Sequence, residues 1–337
     1  MDPLLEKRWK RFKRNRRGYY CLWILTFLFG LSLFSEWFCN NIPYAIRFEE
    51  HWYFPILKHY PAELFGDEVS VTPDYKEVLR TERFREGNNW ALFPPIPYGA
   101  NESSDDLESP PPSKPTRRNW LGTDDRGRDL ATRLLYGFRN SMLFALVSWA
   151  FISLIAYCFG ALQGYVGGRV DFVGQRLTEI WNSLPILYVV IFLLSVFRSQ
   201  LWLLTLIWVV FGWIGLASYV RAEVLRVRKL DYITAGRALG ASTQRILWRH
   251  VLPNTLTPLI TFSPFVISAS VGSLAALDYL GLGLPPPTAS WGELMRQGKE
   301  NLNSWWLAFF PFASLFVTML LLNFIGEAVR NAFDSRE

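Results

Sequence analysis

Repeated long apolar runs constrain this chain more than any other feature. Crossing about 30 Å of hydrocarbon takes roughly 20 apolar residues in a helix. Six stretches answer to that: about Tyr19 to Phe38, Asn140 to Gly160, Pro185 to Phe197, Trp202 to Val220, Thr255 to Leu277 and Trp305 to Ile325. The third is short and has an amphipathic lead-in from Phe172, with Arg176 and Glu179 in its first turns. Half of the residues are hydrophobic, only 19% are charged, and 15 Trp and 26 Phe make the chain more aromatic than an ordinary soluble domain. The expected fold is an all-α integral membrane protein of six transmembrane helices.

Charge in the short loops sets the expected orientation. The first 18 residues hold eight Lys or Arg against two acids, and Arg221 to Arg249 holds seven against two, so both should be cytoplasmic. Six crossings then return the tail to the same side. The divisions expected are a basic cytoplasmic N-terminus over 1–18, a first span over 19–39, an extracytoplasmic region over 40–138, a membrane domain over 139–330 and a cytoplasmic tail over 331–337. The net charge of +6 reflects this loop bias and gives no reason to expect a nucleic-acid partner, because no basic patch interleaves with stacking aromatics in a soluble domain. The N-terminus imitates a secretory signal, but its apolar run is long and leads into Ser35-Glu36-Trp37-Phe38 without a small-x-small site, so it reads as an uncleaved anchor. Cys21, Cys39 and Cys158 lie in or beside spans and propose neither a disulfide framework nor a metal site.

Between the first two spans, Asn40 to Phe138 carries 16 acids and 12 bases, with proline clusters at Phe93 to Pro97 and Ser109 to Pro115. This reads as a large extracytoplasmic insertion, either a domain or a set of extended loops, semi-rigid where proline dominates. His51 and His59 have no regular ligand spacing and read as surface histidines. The run Trp120-Leu-Gly-Thr-Asp-Asp-Arg-Gly-Arg-Asp-Leu130 closes the region, with Thr123 or Asp124 available to cap an amphipathic helix through Leu134, Leu135 and Phe138. Pro258, Pro264 and Pro311 fall inside spans, where they are expected to kink helices.

One segment between the fourth and fifth spans is too polar to cross a bilayer. In Asp231 to Asn254, Tyr232, Ile233, Gly236 and Leu239 recur at helical spacing, Gly240 stands at a helix C-terminus and Ser242 can cap a second helix into Leu252. Pro253 should stop that helix, since the residue before proline is pushed out of the α region. A helix, a turn and a helix result, fit to lie on a membrane surface or in a groove of another protein.

This segment resembles the "EAA" loop of inner-membrane permeases of binding-protein-dependent ABC importers: Glu-Ala-Ala, three residues, Gly, nine residues, Ile-x-Leu-Pro. Thr234, Ala235 and Gly236 stand at the first three places, Gly240 at the glycine, His250 at the isoleucine, and Leu252 and Pro253 at the end; the leading Glu, second Ala and Ile are absent. Arg237 to Ala241 and Arg249 to Asn254 are similar to the dipeptide and oligopeptide permease "C" subfamily. Trp120 to Asp129 is similar to that subfamily's Leu-Gly-Thr-Asp-x-x-Gly-Arg-Asp signature. Further likenesses lie at Gly164 to Asp171, Tyr279 to Gly292 and Phe324 to Asp334, so the resemblance runs from Trp120 to Asp334. The long segment before Trp120 exceeds what most members carry and gives a particular likeness to Yej-type permeases, associated with uptake of microcin C and peptides.

The resemblance implies a type I ABC importer permease fold in the bacterial inner membrane, with residues 231–252 as the loop docked on a separate ATPase. Its coupling residues would be Thr234, Ala235, Gly236, Arg237, Gly240, Arg249, His250, Leu252 and Pro253. It further implies a second homologous permease forming a heterodimer, two ATP-binding subunits or one fused ATPase, and a periplasmic solute-binding protein that delivers a peptide-like substrate. Docking of that protein is expected on Trp120 to Arg128 and Leu280 to Asn301, with Gly122, Thr123, Asp124, Gly127, Arg128 and Asp129 as candidates. The partner ATPase would use ATP and Mg; this chain should bind no cofactor, for it lacks a Gly-x-x-x-x-Gly-Lys-Ser/Thr loop, Gly298-Lys299-Glu300 being without the upstream glycine and the hydroxyl. His-Glu-x-x-His and Gly-x-Ser-x-Gly are also absent, which disfavours a membrane-embedded enzyme. Ionisable groups in the spans sit near their ends, at Glu36, Glu179, Asp278 and Glu327, which argues against an ion-driven carrier. Nickel-chelate and glutathione importers share nearly the same motifs, and a membrane-anchored receptor or scaffold built on Asn40 to Asn119 is the remaining alternative.

Overall fold

The computed structural model describes residues 3–66, 71–86, 88–104, 107 and 109–333; at positions 3–5, 234, 236–238, 243, 244, 248, 250 and 254 it describes the backbone alone. Helices α1 (Pro3–Arg14), α2 (Arg16–Leu33) and α3 (Ser35–Phe38) lead into strands β1 (Ala45–Phe48) and β2 (His51–Tyr53), helices α4 (Tyr75–Val78) and α5 (Glu82–Glu86), and strand β3 (Trp90–Leu92). Then come α6 (Leu130–Val166), α7 (Gly168–Asn182), α8 (Ile186–Val196), α9 (Leu201–Val227), α10 (Asp231–Ala238), α11 (Thr243–Ile246), α12 (Leu252–Asn254), α13 (Thr257–Tyr279), α14 (Trp291–Glu300) and α15 (Trp305–Phe333).

Among the described residues, α6, α9, α13 and α15 are each long and apolar enough to cross a membrane, and α7 with α8 forms a pair that qualifies together but bends by 67°. The bend falls where Pro185 lacks an amide proton and restricts Leu184, so a continuous helix cannot pass. Length and composition thus give four spans, or five with the bent pair, where the apolar runs predicted six. The difference is the first run: it forms α2 and α3, and the 18 residues of α2 include Arg16 and Arg17. At the second run the helix starts at Leu130, not near Asn140, and its 37 residues make it about 55 Å long at 1.5 Å per residue, well beyond the hydrocarbon thickness. Pro264 and Pro311 stand inside helices as expected. Pro258 does not: it lies in the first turn of α13, where its missing amide proton costs nothing.

The chain divides into two compact units, Met1–Phe27 with Ser141–Pro285 and Ala313–Glu337, and Leu28–Asn140 with Pro286–Phe312. In the first, α6 and α9 pack backbone to backbone. A Cβ on Gly160 would lie 2.5 Å from the Ala217 carbonyl oxygen, and one on Gly164 2.8 Å from that of Arg221, so no larger residue fits there.

The second unit contains a small α/β fold, so that of the two expectations for this region, a domain or a set of extended loops, the domain is what forms. Its antiparallel sheet has the order β2-β1-β3, with Ile46 opposite Tyr53 and Ala91. Alternation sends Ile46 and Phe48 into a core with Phe65, Tyr75, Val78 and Phe84. Asp74 caps α4 by accepting from the amides of Lys76 and Glu77. The excursion closes on itself where the Asn40 amide donates to the Ile96 carbonyl (3.2 Å) and the Ile96 amide to that of Phe38 (3.1 Å).

Candidate functional site

The polar segment after α9 folds as a helix, a turn and a helix. Gly240 makes the turn at φ +81°, a backbone conformation that costs a residue with a Cβ about 1–2 kcal/mol. Space is not the constraint, since a Cβ built on Gly240 meets nothing within 4 Å. The Ser242 hydroxyl accepts from the Arg245 amide at 3.3 Å, capping α11.

One side of the segment is anchored. Ile233, Ile246 and Val251 are buried with Ala161 of α6 and Val220 and Val224 of α9. The Tyr157 hydroxyl of α6 donates to the Leu252 carbonyl at 2.5 Å, and Arg228 donates to the carbonyls of Gly164 (3.0 Å) and Tyr165 (3.2 Å). The other side is open: Asp231, Ala235, Gly240, Arg245, Arg249 and Pro253 are exposed, and Leu239 is 88% exposed.

Pro253 corrects the sequence expectation. The helix does not stop before it: Leu252 stays helical at φ −56°, ψ −49°, and Pro253 lies within α12. What absorbs the proline is a π-helical turn over Leu247–Val251, whose wider winding accommodates a ring that would otherwise meet the carbonyl four residues back.

The second constellation lies in the other unit, around Trp120 to Asp129. Asp124 turns its Oδ1 to the amides of Arg126 and Arg128, both at 2.9 Å, and its Oδ2 to Arg128 Nε at 2.6 Å. Arg133 Nε lies 3.3 Å from the same oxygen. Arg133 Nη2 donates to Glu293 Oε2 at 2.8 Å, and its Nη1 to the carbonyls of Ala100 and Pro287. Two arginines thus face two carboxylates, and all four residues are at most 4% exposed. Gln297 donates to Glu293 Oε1 at 3.1 Å. Asp129, rather than Thr123 or Asp124, caps α6 by accepting from the Thr132 amide at 2.8 Å, and it also accepts from Asn119 at 2.9 Å. Burial pushes the Asp129 carboxyl above its usual range, against the pull of those hydrogen bonds.

Gly122, Thr123, Asp124, Gly127, Arg128 and Asp129 are therefore all buried. A protein arriving at this turn would touch Trp120, Asp125 and Arg126, which are exposed; the signature residues hold the turn from inside. Of the expected coupling residues, Ala235, Gly240, Arg249, Leu252 and Pro253 come together on the anchored segment. The side chains of Thr234, Arg237 and His250, and the surroundings of Gly236, lie outside the described residues.

A family model for the binding-protein-dependent transport system inner membrane component matches residues 156–337. The inner membrane ABC transporter permease protein YejE of Escherichia coli (strain K12) is 46% identical over 334 residues, covering 99% of this chain and 98% of that protein. The chain belongs to this family of ABC importer permeases. A model for the N-terminal TM domain of oligopeptide transport permease C matches residues 4–55. The peptidoglycan transport system permease protein YejE of Agrobacterium fabrum is 37% identical, covering 100% of this chain and 94% of that protein. The dipeptide transport system permease protein DppC of Bacillus subtilis is 35% identical over 224 residues, covering 66% of this chain and 70% of that protein. The chain is thus a multi-pass inner-membrane transport subunit, and membership implies an ATPase and a binding protein as partners.

Three permease residues that the sequence reading did not single out stand out in the structure. Arg133, Glu293 and Tyr157 each act across long chain separations, 160 residues for the Arg133–Glu293 pair and 95 for Tyr157 with Leu252. Only the charges of Arg133 and Glu293, flanking apolar stretches, hinted that they needed partners.

Proposed function

We propose that this permease carries peptides or peptide-like compounds across the inner membrane, driven by ATP that separate ATPase subunits hydrolyse with Mg. The observation that carries the mechanism is the Asp231–Asn254 segment, held to α6 and α9 on one side and presenting Leu239, Gly240 and Arg249 on the other. Closure of an ATPase dimer against that open side would move the segment as a rigid body and, through Ile233, Ile246 and Val251, tilt α6 and α9. The names of the relatives support the cargo: dipeptides for the Bacillus protein, peptidoglycan for the Agrobacterium protein.

The remaining architecture belongs to the same proposal. The permease would adopt the type I fold with α2 as a sixth crossing, both termini cytoplasmic, and the Asn40–Phe138 region in the periplasm. A second homologous permease completes the path, and a solute-binding protein docks against Trp120, Asp125, Arg126 and the exposed positions of Leu280 to Asn301. Nickel chelates, glutathione and microcin C are competing cargoes.

Uptake of a labelled peptide by vesicles containing the partner permease, ATPase and binding protein tests this. Uptake should require this subunit and ATP. Equal uptake without the subunit, or translocation without any ATPase, would overturn the reading. A complex that binds peptide but never moves it would mark a receptor or scaffold.

A further inference from the structure

The N-terminal helix carries a charge pattern that importer function does not use. Helix α1 is separated from α2 by Asn15 alone, whose side chain accepts from the Gly18 amide at 3.3 Å. One flank of α1 is fixed to the last turns of α15: Phe12 is buried with Ala328 and Ala332, and the Arg8 guanidinium lies over the Phe333 ring at 4.4 Å. At Gly18 the approach is so close that a Cβ would fall 2.1 Å from that of Ala328. The helix is therefore held at the mouth of α2 and α15, not tethered loosely.

Its remaining surface is cationic. Lys7, Lys10, Lys13, Arg14, Arg16 and Arg17 are exposed. Glu6 pairs with Lys10 at 2.6 Å, and among the described residues the other five make no ion pair with a carboxylate. Within two turns along the chain come Tyr20 and Trp23, 61% and 54% exposed, the side chains that settle at a membrane's headgroup level. Five uncompensated cations at that level need counter-charges, and the phosphates of anionic phospholipids are placed there. Trp9, stacked on Phe12 at 5.5 Å yet 39% exposed, gives the helix an apolar foot for the acyl boundary.

We propose that α1 with Arg16 and Arg17 is a binding site for anionic phospholipid headgroups, which seat the first helix against α15. The surface recruits phosphatidylglycerol-type lipid in preference to zwitterionic lipid, and the attraction falls with ionic strength. It rests on the proposed crossing of the membrane by α2 but needs no ATPase, binding protein or substrate, so its failure is distinguishable from failure of the transport reading.

The full-length protein, reconstituted in phosphatidylcholine vesicles with a trace of spin-labelled phosphatidylglycerol or spin-labelled phosphatidylcholine, provides the test. Electron paramagnetic resonance reads the immobilised fraction of each label. The expected result is several-fold selectivity for phosphatidylglycerol, lost at high salt and in K7Q/K13Q/R14Q/R17Q, and kept in the charge-conserving K7R/K13R/R14K/R17K. The quadruple variant must still insert; should it not, K13Q/R14Q alone should lower the selectivity part-way. Equal immobilisation of both labels in the wild type, or unchanged selectivity in either neutralised variant, would overturn the proposal. So would displacement of the lipid by inorganic phosphate at constant ionic strength, which marks a soluble-anion site. Loss of ATPase co-purification with lipid selectivity intact would overturn it too, by making the surface a protein dock.

Discussion

At the scale of residues, the Asp124, Arg128, Arg133 and Glu293 cluster decides how the motif before α6 is understood. Removing one member leaves an uncompensated buried charge, which costs about 3–5 kcal/mol, whereas an apolar pair of similar volume can be nearly neutral. Glu293→Gln and Arg133→Met should each lower the thermal unfolding midpoint of the purified permease markedly, and R133M/E293M together should recover part of the loss. An additive double variant would show that the two do not act as a pair. Asp129 gives a pH test. Burial raises its folded carboxyl pKa, so its contribution to stability is complete below the ordinary carboxyl value and is lost as pH rises through the folded value. Asn can also cap a helix, and Asp129→Asn should therefore gain stability relative to wild type over the pH range that runs upward from the ordinary carboxyl value through the raised folded one. A constant difference across that range would show that Asp129 does not titrate against the fold. The sequence made the Trp120 to Asp129 turn visible but not its direction: charged residues read as surface until a distant Glu293 is seen to neutralise them.

Elements explain where apolar periodicity succeeded and where it stopped. The α10, Gly240, α11 arrangement was legible because glycine spacing and a Ser cap are local signals. The π turn before Pro253 was not, since proline ordinarily signals a helix end and nothing local announces the wider winding that lets this helix continue through it. The amphipathic helix expected through Leu134, Leu135 and Phe138 is present but runs without a break into the second span; Leu130 to Arg139 is too polar to read as part of a span, yet Asp129 caps it and Arg133 is paired within the fold. The β1–β2 hairpin turns at Glu49 and Glu50, with φ of 48° and 66°, where Asn-Gly is the usual signal, so no turn residue announced it. The turn in the coupling segment carries its own prediction. Gly240→Ala must either strain the backbone by about 1–2 kcal/mol or re-aim α10. Membrane insertion should be normal and ATP-dependent uptake should fall by up to roughly 5- to 30-fold, while ATP hydrolysis by the complex persists. Undiminished uptake in the vesicle assay would show that this turn does not transmit the motion.

For the whole molecule, the division into two units separates coupling from whatever the extra region does. The segment that faces the proposed ATPase and the stretches of α6 and α9 that anchor it lie in one unit; the sheet, its core and the buried charge cluster, with Arg133 from the first turns of α6, lie in the other. The Bacillus dipeptide relative aligns with 66% of this chain and 70% of its own length, against 99% of this chain for the Escherichia relative, so about a third of this chain and of the Bacillus relative lies outside that alignment. Residues 41–95 form an excursion that can be tested by removal, because they own a core and leave and rejoin the chain at hydrogen-bonded neighbours, Asn40 and Ile96. Because Cys39 and Ile96 are parallel neighbours, they need a crossover connection; replacing 41–95 by a flexible glycine-serine linker of about a dozen residues supplies it and should keep Ala100, Arg133 and Glu293 in place. The shortened permease should insert and retain its ATPase, since neither depends on the sheet. Uptake should persist at limiting as well as raised binding protein, because the proposed docking positions Trp120, Asp125 and Arg126 are retained. Failure to insert, or a loss of uptake that excess binding protein cannot restore, would place these residues in the translocation machinery itself.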